Sequence, residues 1–451
     1  MAGDNRITVI GAGLAGCEAA WAAAGAGADV TLVEMKPGRY SPAHHSPAFA
    51  ELVCSNSLKA LRVDSAAGLL KEEMRRLGSV CMEAALECRV PAGGALAVDR
   101  ERFAELVTRR VTAHPRIRVE RREVCCLPRP EEEGAAVVAT GPLTAGPLAD
   151  EVDKLCGGTL RFYDAAAPIV TGESVDMDRA FRASRYGGED GGDYINCPMN
   201  REEYEAFHTA LVTAETAPLH EFDAPGAAPK VYEGCMPIEV LARRGTDSIR
   251  YGPMKPVGLR DPRTGHRPWA VLQLRMEDAA GTLYNLVGFQ TNLRFGEQKR
   301  VFGMIPALHA ADFVRYGVMH RNTFLDSPRL LTAAYRFRGR DRLFFAGQMT
   351  GVEGYMESAA SGMVAGLNAV RELRGLPPLL LPRQTMMGAL AAVVSDSAAA
   401  DFQPMGANFG ILPPLPEPVR DKRQRYAALA RRALDSLAPV LRETERMRSD
   451  G

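Results

Sequence analysis

Arg6-Ile7-Thr8-Val9-Ile10 is followed at once by Gly11-Ala12-Gly13-Leu14-Ala15-Gly16. The first five residues are largely apolar and predict a short buried strand. Glycines spaced G-x-G-x-x-G, after a strand and ahead of an Ala-rich helix at 17–24, are typical of a dinucleotide-binding turn. A second strand at 28–33 runs into Glu34, which completes a βαβ unit of about 30 residues.

Each part of this turn has a physical reason. Gly11 permits the tight turn, Gly13 lets backbone N–H groups approach a pyrophosphate, and Gly16 lets the helix pack close to the strand. The helix N-terminus adds partial positive charge for the phosphates, and Glu34 can accept hydrogen bonds from a ribose. We therefore predict that the whole turn and Glu34 contact a dinucleotide; a tight turn without a ligand is the alternative.

Two later segments favour FAD over NAD. Residues 135–141 predict a buried strand that ends in Gly141, and residues 343–347 predict another that ends in Gly347. Gly351 and Gly354 follow, ahead of a helix predicted over 358–373. Flavoproteins of the glutathione-reductase type complete the FAD site with such a late strand–glycine–helix segment, whereas NAD domains are usually self-contained. The predicted class is α/β, with a Rossmann-like FAD-binding domain.

The middle of the chain has a different texture. From about 148 to 326, proline and glycine are scattered, and stretches such as 269–274 alternate apolar and polar residues. We predict an α+β substrate and tRNA-binding domain at 148–326, inserted between two parts of the FAD-binding domain at 1–147 and 327–451.

Composition narrows the class of protein. The 451 residues are 46% hydrophobic and 24% charged, with zero formal net charge, which is ordinary for a globular protein. We find neither a signal peptide nor an apolar run long enough for a membrane helix, so a cytoplasmic protein without membrane contact is expected. Nine irregularly spaced cysteines fit a reducing compartment, and their spacing predicts no metal site.

The C-terminal segment from Arg420 onward is locally basic. It carries nine basic side chains against five acidic ones. An RNA-binding surface and a solvated helix face explain such a segment equally well.

Motifs along nearly the whole chain resemble those of the folate- and FAD-dependent tRNA (uracil-5-)-methyltransferases, the TrmFO family, which are relatives of the flavoproteins that modify wobble uridines. The matching stretches keep their order from one end to the other: VIGAGLAG (9–16), VCSNSL (53–58), VPAGGALAVDR (90–100), YGPMKPVGL (251–259), YGVMHRNT (316–323), GVEGY (351–355) and FQPM (402–405). Residues 216–229 and the basic tail match least.

The resemblance implies a reaction and its partners. The family passes a methylene group from 5,10-methylenetetrahydrofolate through reduced FAD to C5 of the T-loop uridine of tRNA. NADPH or NADH supplies the reducing equivalents, and S-adenosylmethionine takes no part.

Two cysteines are the candidate reacting groups. Uracil C5 becomes nucleophilic when a thiolate adds to C6, and a base must then remove the C5 proton. Cys235 precedes Pro237, which is predicted to be the first residue of a helix whose N-terminus would lower the thiol pKa; its family position agrees. Cys54, in a polar loop, is by resemblance the second catalytic cysteine, either a base or a guard of the flavin-borne carbon. Which thiol is nucleophile and which is base stays open.

The remaining candidates depend more on the resemblance. Tyr355 could stack on flavin, uracil or folate, with a core tyrosine as the alternative. His320 is expected at the folate ring, and Arg100 and Lys255 at folate carboxylates or RNA phosphates. The other seven cysteines are expected to be inert, buried thiols, with Cys197 uncertain: Cys17, Cys81, Cys88, Cys125, Cys126, Cys156 and Cys197.

Three other functions remain possible from the sequence. The same chemistry could act on a ribosomal RNA uridine, which needs the same flavin and thiols. A plain FAD oxidoreductase or disulfide reductase would favour neighbouring redox cysteines, yet Cys54 and Cys235 lie 181 positions apart. A flavin-binding RNA chaperone without chemistry would not need both thiols.

Overall fold

A parallel sheet organises the first and last parts of the chain. The computed structural model describes residues 5–129, 134–158, 160–185, 192–217, 236–399 and 402–449, and of 160–164 and 320–321 the backbone alone. Within these residues the sheet contains β1 (Arg6–Ile10), β2 (Asp29–Glu34), β6 (Ile117–Arg121), β7 (Ala135–Val138) and β16 (Leu343–Phe345). Their order is β16-β7-β1-β2-β6, with parallel neighbours throughout. The predicted α/β, Rossmann-like fold is confirmed.

The strands between β7 and β16 form mainly an antiparallel sheet. Its described members are β9 (Ile169–Thr171), β10 (Phe181–Arg182), β11 (Tyr194–Met199), β12 (Ala270–Met276), β13 (Leu283–Leu286) and β14 (Phe313–Arg315). They are arranged β10-β11-β12-β13-β9-β14, over an apolar cluster separate from that of the parallel sheet. The predicted domain limits at 147 and 326 stay predictions.

Two small sheets complete the described strands. One has the order β3-β5-β4 and the other pairs β15 with β8. The strands are β3 (Ser57–Ala60), β4 (Arg89–Val90), β5 (Ala95–Val98), β8 (Leu160–Ala165) and β15 (Met319–Phe324).

The α-helices of the described residues are short except for two near the C-terminus. They are α1 (Leu14–Gly25), α2 (Ala66–Arg76), α3 (Val80–Glu87), α4 (Arg100–Ala113), α5 (Gly146–Cys156), α6 (Arg201–Thr213), α7 (Ile238–Ala242), α8 (Phe295–Phe302), α9 (Ser327–Leu330), α10 (Tyr355–Leu373), α11 (Met386–Val393) and α12 (Lys422–Ser449). Among them, no helix combines the length and apolarity needed to cross a membrane.

Helices α1 and α10 cross with almost no side chain between them. Gly362 and Gly366 of α10 face Ala15 and Ala19 of α1, and a Cβ on either glycine would collide with the alanine carbonyl oxygen. Backbones that approach this closely exclude larger side chains at the crossing. The crossing fixes the start of α10 relative to the dinucleotide turn.

The terminal helix α12 packs one apolar stripe against the parallel-sheet core. Leu429, Ala433 and Leu437 are buried, whereas Arg423 and Arg431 are exposed. The basic segment is therefore an amphipathic helix with a solvated basic face.

Substituting Gly362 by alanine should destabilise the fold, because the added methyl group meets the Ala15 backbone, which cannot yield as a side chain would. We expect a loss of about 1–3 kcal/mol, typical of overpacking. Gly25, at the end of α1, has no described atom within 4 Å of a built Cβ and is the matched control. Urea unfolding of both alanine variants measures the difference; equal stabilities would refute the packing argument.

Candidate functional site

A cavity of about 540 Å³ lies at the carboxyl ends of the parallel strands. In doubly wound sheets this edge is where nucleotide ligands bind. The cavity brings together residues distant in sequence, among them Gly11, Gly13, Leu14, Ala15, Glu34, Cys54, Thr140, Gly141, Gly347, Gln348 and Tyr355. It thus joins the predicted dinucleotide turn, the late glycine segment and one predicted catalytic cysteine.

The glycine turn has the geometry that a pyrophosphate needs. Gly11 has φ +94°, and a Cβ there would lie 2.6 Å from the Ala139 carbonyl oxygen. A Cβ on Gly16 would collide with the Gly11 carbonyl, so α1 starts close against β1. Over Gly13, by contrast, no described atom lies within 4 Å of a built Cβ. That open space above the α1 N-terminus suits a phosphate group.

Glu34 is held in place by backbone donors. Its Oε2 accepts from Ala12 N–H at 2.7 Å and its Oε1 from Lys36 N–H at 2.9 Å. The residue is 6% exposed, at the cavity wall. Each oxygen keeps a lone pair that could accept from a ribose hydroxyl. The residues present therefore fit a dinucleotide cofactor.

Two of the late glycines, Gly141 and Gly347, also line the cavity, whereas Gly351 and Gly354 are not among its described lining residues. Gly141, Gly347, Gly351 and Gly354 have φ values of +78°, +85°, +81° and +126°, which disfavour other residues. The Gly347 N–H donates to the Ser361 hydroxyl of α10 at 2.7 Å. This bond ties the end of β16 to the helix that follows.

Cys54 and Tyr355 meet in the cavity wall, although 301 positions separate them. The Tyr355 hydroxyl oxygen accepts from the Cys54 N–H at 2.8 Å and from the Ser55 N–H at 3.2 Å, and lies 3.0 Å from the Cys54 Sγ. Since two N–H groups occupy its oxygen, the hydroxyl proton is directed to the sulfur. Burial, followed by the nearby thiol, raises the pKa of Tyr355, so the phenol remains a donor.

This contact changes the interpretation of Tyr355. Ring stacking was predicted from the sequence, and the hydroxyl proves to be the end that contacts a candidate catalytic group. The helix starts at Tyr355 itself, three positions before the predicted start, with Gly354 as its N-cap. The positive φ of Gly354 directs the chain so that the first side chain of α10 reaches Cys54.

Arg100 is bonded within the protein. Its NH2 donates to the Glu277 Oε2 at 2.8 Å and its NH1 to the Leu52 carbonyl at 2.8 Å. The side chain is 15% exposed. These bonds support the loop that carries Cys54, a role that the sequence did not suggest for Arg100.

One other predicted residue, Lys255, lies away from this arrangement, and two predicted side chains lie outside the described structure. Cys235 lies outside the described residues, as does the side chain of His320. Pro237 is the N-cap of α7 rather than its first residue, and α7 has five residues. Lys255 is exposed and is not part of the cavity wall.

The inert-thiol prediction is correct for Cys17, Cys81, Cys88 and Cys197, which are buried, and burial raises the pKa of each. It is wrong for Cys125 and Cys126, which are exposed. They follow β6 in the loop whose preceding residues 122–124 line the cavity. The amino-acid composition of this loop gives no signal that the two cysteines face solvent. Cys156 is half-buried.

Two arginines of the antiparallel sheet support the Cys54 loop, and neither was predicted from the sequence to be a site residue. Arg275 donates from Nε to the Asn56 Oδ1 at 2.8 Å and from NH2 to the Ser55 Oγ at 2.7 Å. Arg315 donates to the Val53 carbonyl at 2.7 Å. The only available signal was the alternation of polar residues around 273, 275 and 277.

Comparisons with known proteins agree with the Rossmann-like fold and with the predicted dinucleotide-binding turn. Residues 6–377 match the family model of glucose inhibited division protein A. The Aquifex aeolicus GidA structure in the form II crystal aligns with a TM-score of 0.70 at 17% identity, over 97% of this chain and 73% of that one. At this identity the likeness shows the fold alone.

Curated relatives are much more similar in sequence. The methylenetetrahydrofolate--tRNA-(uracil-5-)-methyltransferase TrmFO of Symbiobacterium thermophilum is 58% identical, over 96% of this chain and 97% of its own length. The protein of the same name from Enterococcus faecalis is 53% identical, over 98% of this chain and 100% of its own length. The chain therefore belongs to the glucose inhibited division protein A family and, within it, to the TrmFO methyltransferases.

Proposed function

We propose that this protein methylates C5 of the T-loop uridine in tRNA, with 5,10-methylenetetrahydrofolate as carbon donor and NAD(P)H as reductant. The observation that carries the proposal is the Cys54–Tyr355 contact inside a dinucleotide cavity, where a thiol meets a hydrogen-bond donor. The names of the full-length relatives support the substrate and the donor. A cytoplasmic location belongs to the same proposal.

FAD fits the cavity through its pyrophosphate and ribose. The open turn at Gly13 and the α1 N-terminus would hold the phosphates, and Glu34 would hold the ribose. Gly141 and Gly347, which line the cavity, would let the backbone approach the remaining part. When bound, FAD supplies the carrier for the one-carbon unit and the electrons that reduce it to a methyl group.

Tyr355 controls the state of the Cys54 sulfur. A phenol hydroxyl directed at sulfur favours the thiolate over the thiol, because only the anion is a good acceptor for that proton. The thiolate is a base that can accept the C5 proton of uracil. A hydrogen bond from Tyr355 also fixes where that base lies in the cavity.

Cys235 is proposed as the nucleophile at uracil C6. Its sulfur would form a bond to C6, which places the electron pair on the C4 carbonyl oxygen and makes C5 nucleophilic. After carbon transfer, the C5 proton leaves to Cys54, and the C6–sulfur bond breaks to restore the aromatic ring. The two thiols thus act at the two ends of the C5–C6 bond: Cys235 at C6 and Cys54 at C5.

Removal of the Glu34 carboxylate should weaken FAD binding. Glu34→Ala deletes the acceptor of two backbone N–H groups and the ribose partner. We expect a loss of about 1.4–2.8 kcal/mol, which is about ten- to hundredfold in affinity. Fluorescence titration of the apoprotein with FAD measures it. Asp29→Ala, at the exposed start of the same strand, should leave the affinity unchanged. A purified protein that takes up no FAD would exclude the flavin.

The carbon donor is tested by isotope transfer. Purified protein, unmodified tRNA transcript, NADPH and labelled methylenetetrahydrofolate should yield label in 5-methyluridine without S-adenosylmethionine. Nucleoside analysis by mass spectrometry measures the product. Label entering from S-adenosylmethionine alone would overturn the proposal, and label entering ribosomal RNA but not tRNA would redirect it.

The two cysteines should behave differently towards a tRNA with 5-fluorouridine at the target position. Fluorine replaces the removable C5 proton, so the enzyme should be trapped on the RNA by the C6–sulfur bond. Cys235→Ala should abolish the covalent complex and keep FAD bound. Cys54→Ala should keep the complex and slow methylation of ordinary tRNA by about 10²–10⁴-fold, the range of a lost general base. Denaturing gels measure the complex.

The opposite pattern, with the adduct lost in Cys54→Ala and kept in Cys235→Ala, would exchange the two roles. Cys197→Ala removes a buried thiol away from the cavity and serves as the control, with normal adduct and rate expected. Normal methylation by both Cys54→Ala and Cys235→Ala would refute the thiol mechanism.

A further inference from the structure

The loop that carries Cys54 is held by side chains from outside the parallel-sheet domain. Arg275, on β12, binds the Ser55 and Asn56 side chains, and the Asn56 Nδ2 donates to the Met276 carbonyl at 2.8 Å. Arg315, on β14, binds the Val53 carbonyl. Every residue from Val53 to Asn56 therefore has a partner in the antiparallel sheet or, through Tyr355, in α10.

The groups around this loop carry an excess of positive charge. Three guanidinium groups, of Arg100, Arg275 and Arg315, surround it. Glu277 forms a salt bridge with Arg100 at 2.8 Å and also attracts the charges of Arg275 and Arg315, so one carboxylate faces three guanidinium groups. Arg275 is 7% and Glu277 4% exposed. Buried charge that is not balanced by opposite charge is costly. Burial accordingly lowers the pKa of Arg275 and Arg315. Both side chains nevertheless stay charged, because the ordinary pKa of arginine is very high. An anion in the loop would offset that cost.

We infer that Arg275 is a positioning residue for Cys54: it fixes Ser55 and Asn56 so that the thiol and two N–H groups converge on the Tyr355 hydroxyl, and its charge favours the thiolate. The inference rests on the proposed role of Cys54 as the base. It assigns part of the reacting centre to β12, which follows the Cys54 loop by more than 200 positions.

Other charged groups near the loop do not supply the same effect. Lys59 is paired with Glu357 at 2.8 Å, and Lys36 with Glu51 at 3.4 Å. The titratable and charged groups on the packed elements are Lys36, His44, Glu51, Lys59, Arg100, Tyr194, Arg275, Glu277, Arg315, Tyr355 and Glu357. Of these, Arg275 alone binds the side chains on the C-terminal side of Cys54 in the described structure.

The test measures the ionisation of Cys54 in the FAD-bound protein. The pH dependence of its alkylation by iodoacetamide is followed by peptide mass spectrometry, with the exposed Cys125 as internal reference. In Arg275→Met, the pH midpoint of Cys54 alkylation should rise by about one unit. Alkylation of Cys54 at neutral pH should then be about tenfold slower. The alkylation of Cys125 should not change. Arg275→Lys should restore part of the shift, because it returns the charge without the two-pronged geometry.

Arg250→Met is the matched control. Arg250 is a half-buried arginine of the same region that packs on Trp269 and bonds its carbonyl at 3.0 Å. Its substitution should leave the Cys54 midpoint unchanged. An equal shift in Arg250→Met, or an unchanged midpoint in Arg275→Met with normal flavin content, would overturn the inference.

Two further measurements keep the test decisive. If Arg275→Met does not fold, Ser55→Ala removes one of the two bonds from the loop side and should shift the midpoint in the same direction by a smaller amount; no shift overturns the inference. Thiolate absorbance, compared with Cys54→Ser, gives the midpoint without a reagent. Because neither readout uses RNA, the two failures are distinguishable. A failed methylation assay with the expected midpoint shift would refute the proposed function, whereas an unchanged midpoint with normal methylation would overturn this inference.

Discussion

The close crossing of α1 and α10 is the constraint on which the site depends. Glycine at 362 and 366 lets the two backbones approach, and that approach sets the height of α10 above the parallel sheet. Gly347 is then bonded to Ser361, and Tyr355 begins the helix at the cavity wall. A bulkier crossing would displace Tyr355 from Cys54, so a packing requirement within the core determines a contact between reacting groups.

A second constraint is the desolvation of the Cys54 loop. A thiolate in a half-buried loop needs donors and positive charge, and the loop provides neither by itself. The donors come from α10, as the Tyr355 hydroxyl, and the charge comes from α4, β12 and β14 as three arginines. A dinucleotide-binding sheet alone would hold FAD in this way but would leave Cys54 an ordinary thiol. In the proposed mechanism, the antiparallel sheet therefore supports the reacting group.

The sequence predicted those parts of the fold whose signals are local. The strand at Arg6–Ile10, the glycine turn and the acidic residue at the end of β2 follow each other within a few positions, and each residue type has its own steric or electrostatic reason. The late strand and Gly347 were likewise readable. The helix was predicted to start at 358, but it starts at Tyr355. The sequence does not show that Gly354 is the N-cap, because its positive φ is known only from the structure.

Contacts between distant segments were beyond the reach of sequence reasoning. Nothing in a run such as Leu272-Gln273-Leu274-Arg275 shows that the arginine is buried against Ser55 and Asn56. The exposure of Cys125 and Cys126 also depends on where a loop lies after the fold has formed. Local patterns thus identified which cofactor the chain holds, whereas the chemistry of Cys54 depends on tertiary contacts.

The arrangement also explains why Tyr355 and Arg275 cannot replace one another. A phenol gives a short, directional hydrogen bond but no net charge, so it selects the position of the sulfur and stabilises the anion by one bond. A guanidinium gives charge that acts over a longer distance, and its two-pronged contact fixes the neighbouring residues rather than the sulfur. Loss of the Tyr355 hydroxyl should remove the hydrogen bond to the sulfur, while loss of Arg275 should free Ser55 and Asn56 and disfavour the thiolate. The Cys54 loop is therefore contacted by two elements that differ in chemistry: the sulfur by the phenol of Tyr355 on α10, and the next two residues by the guanidinium of Arg275 on β12.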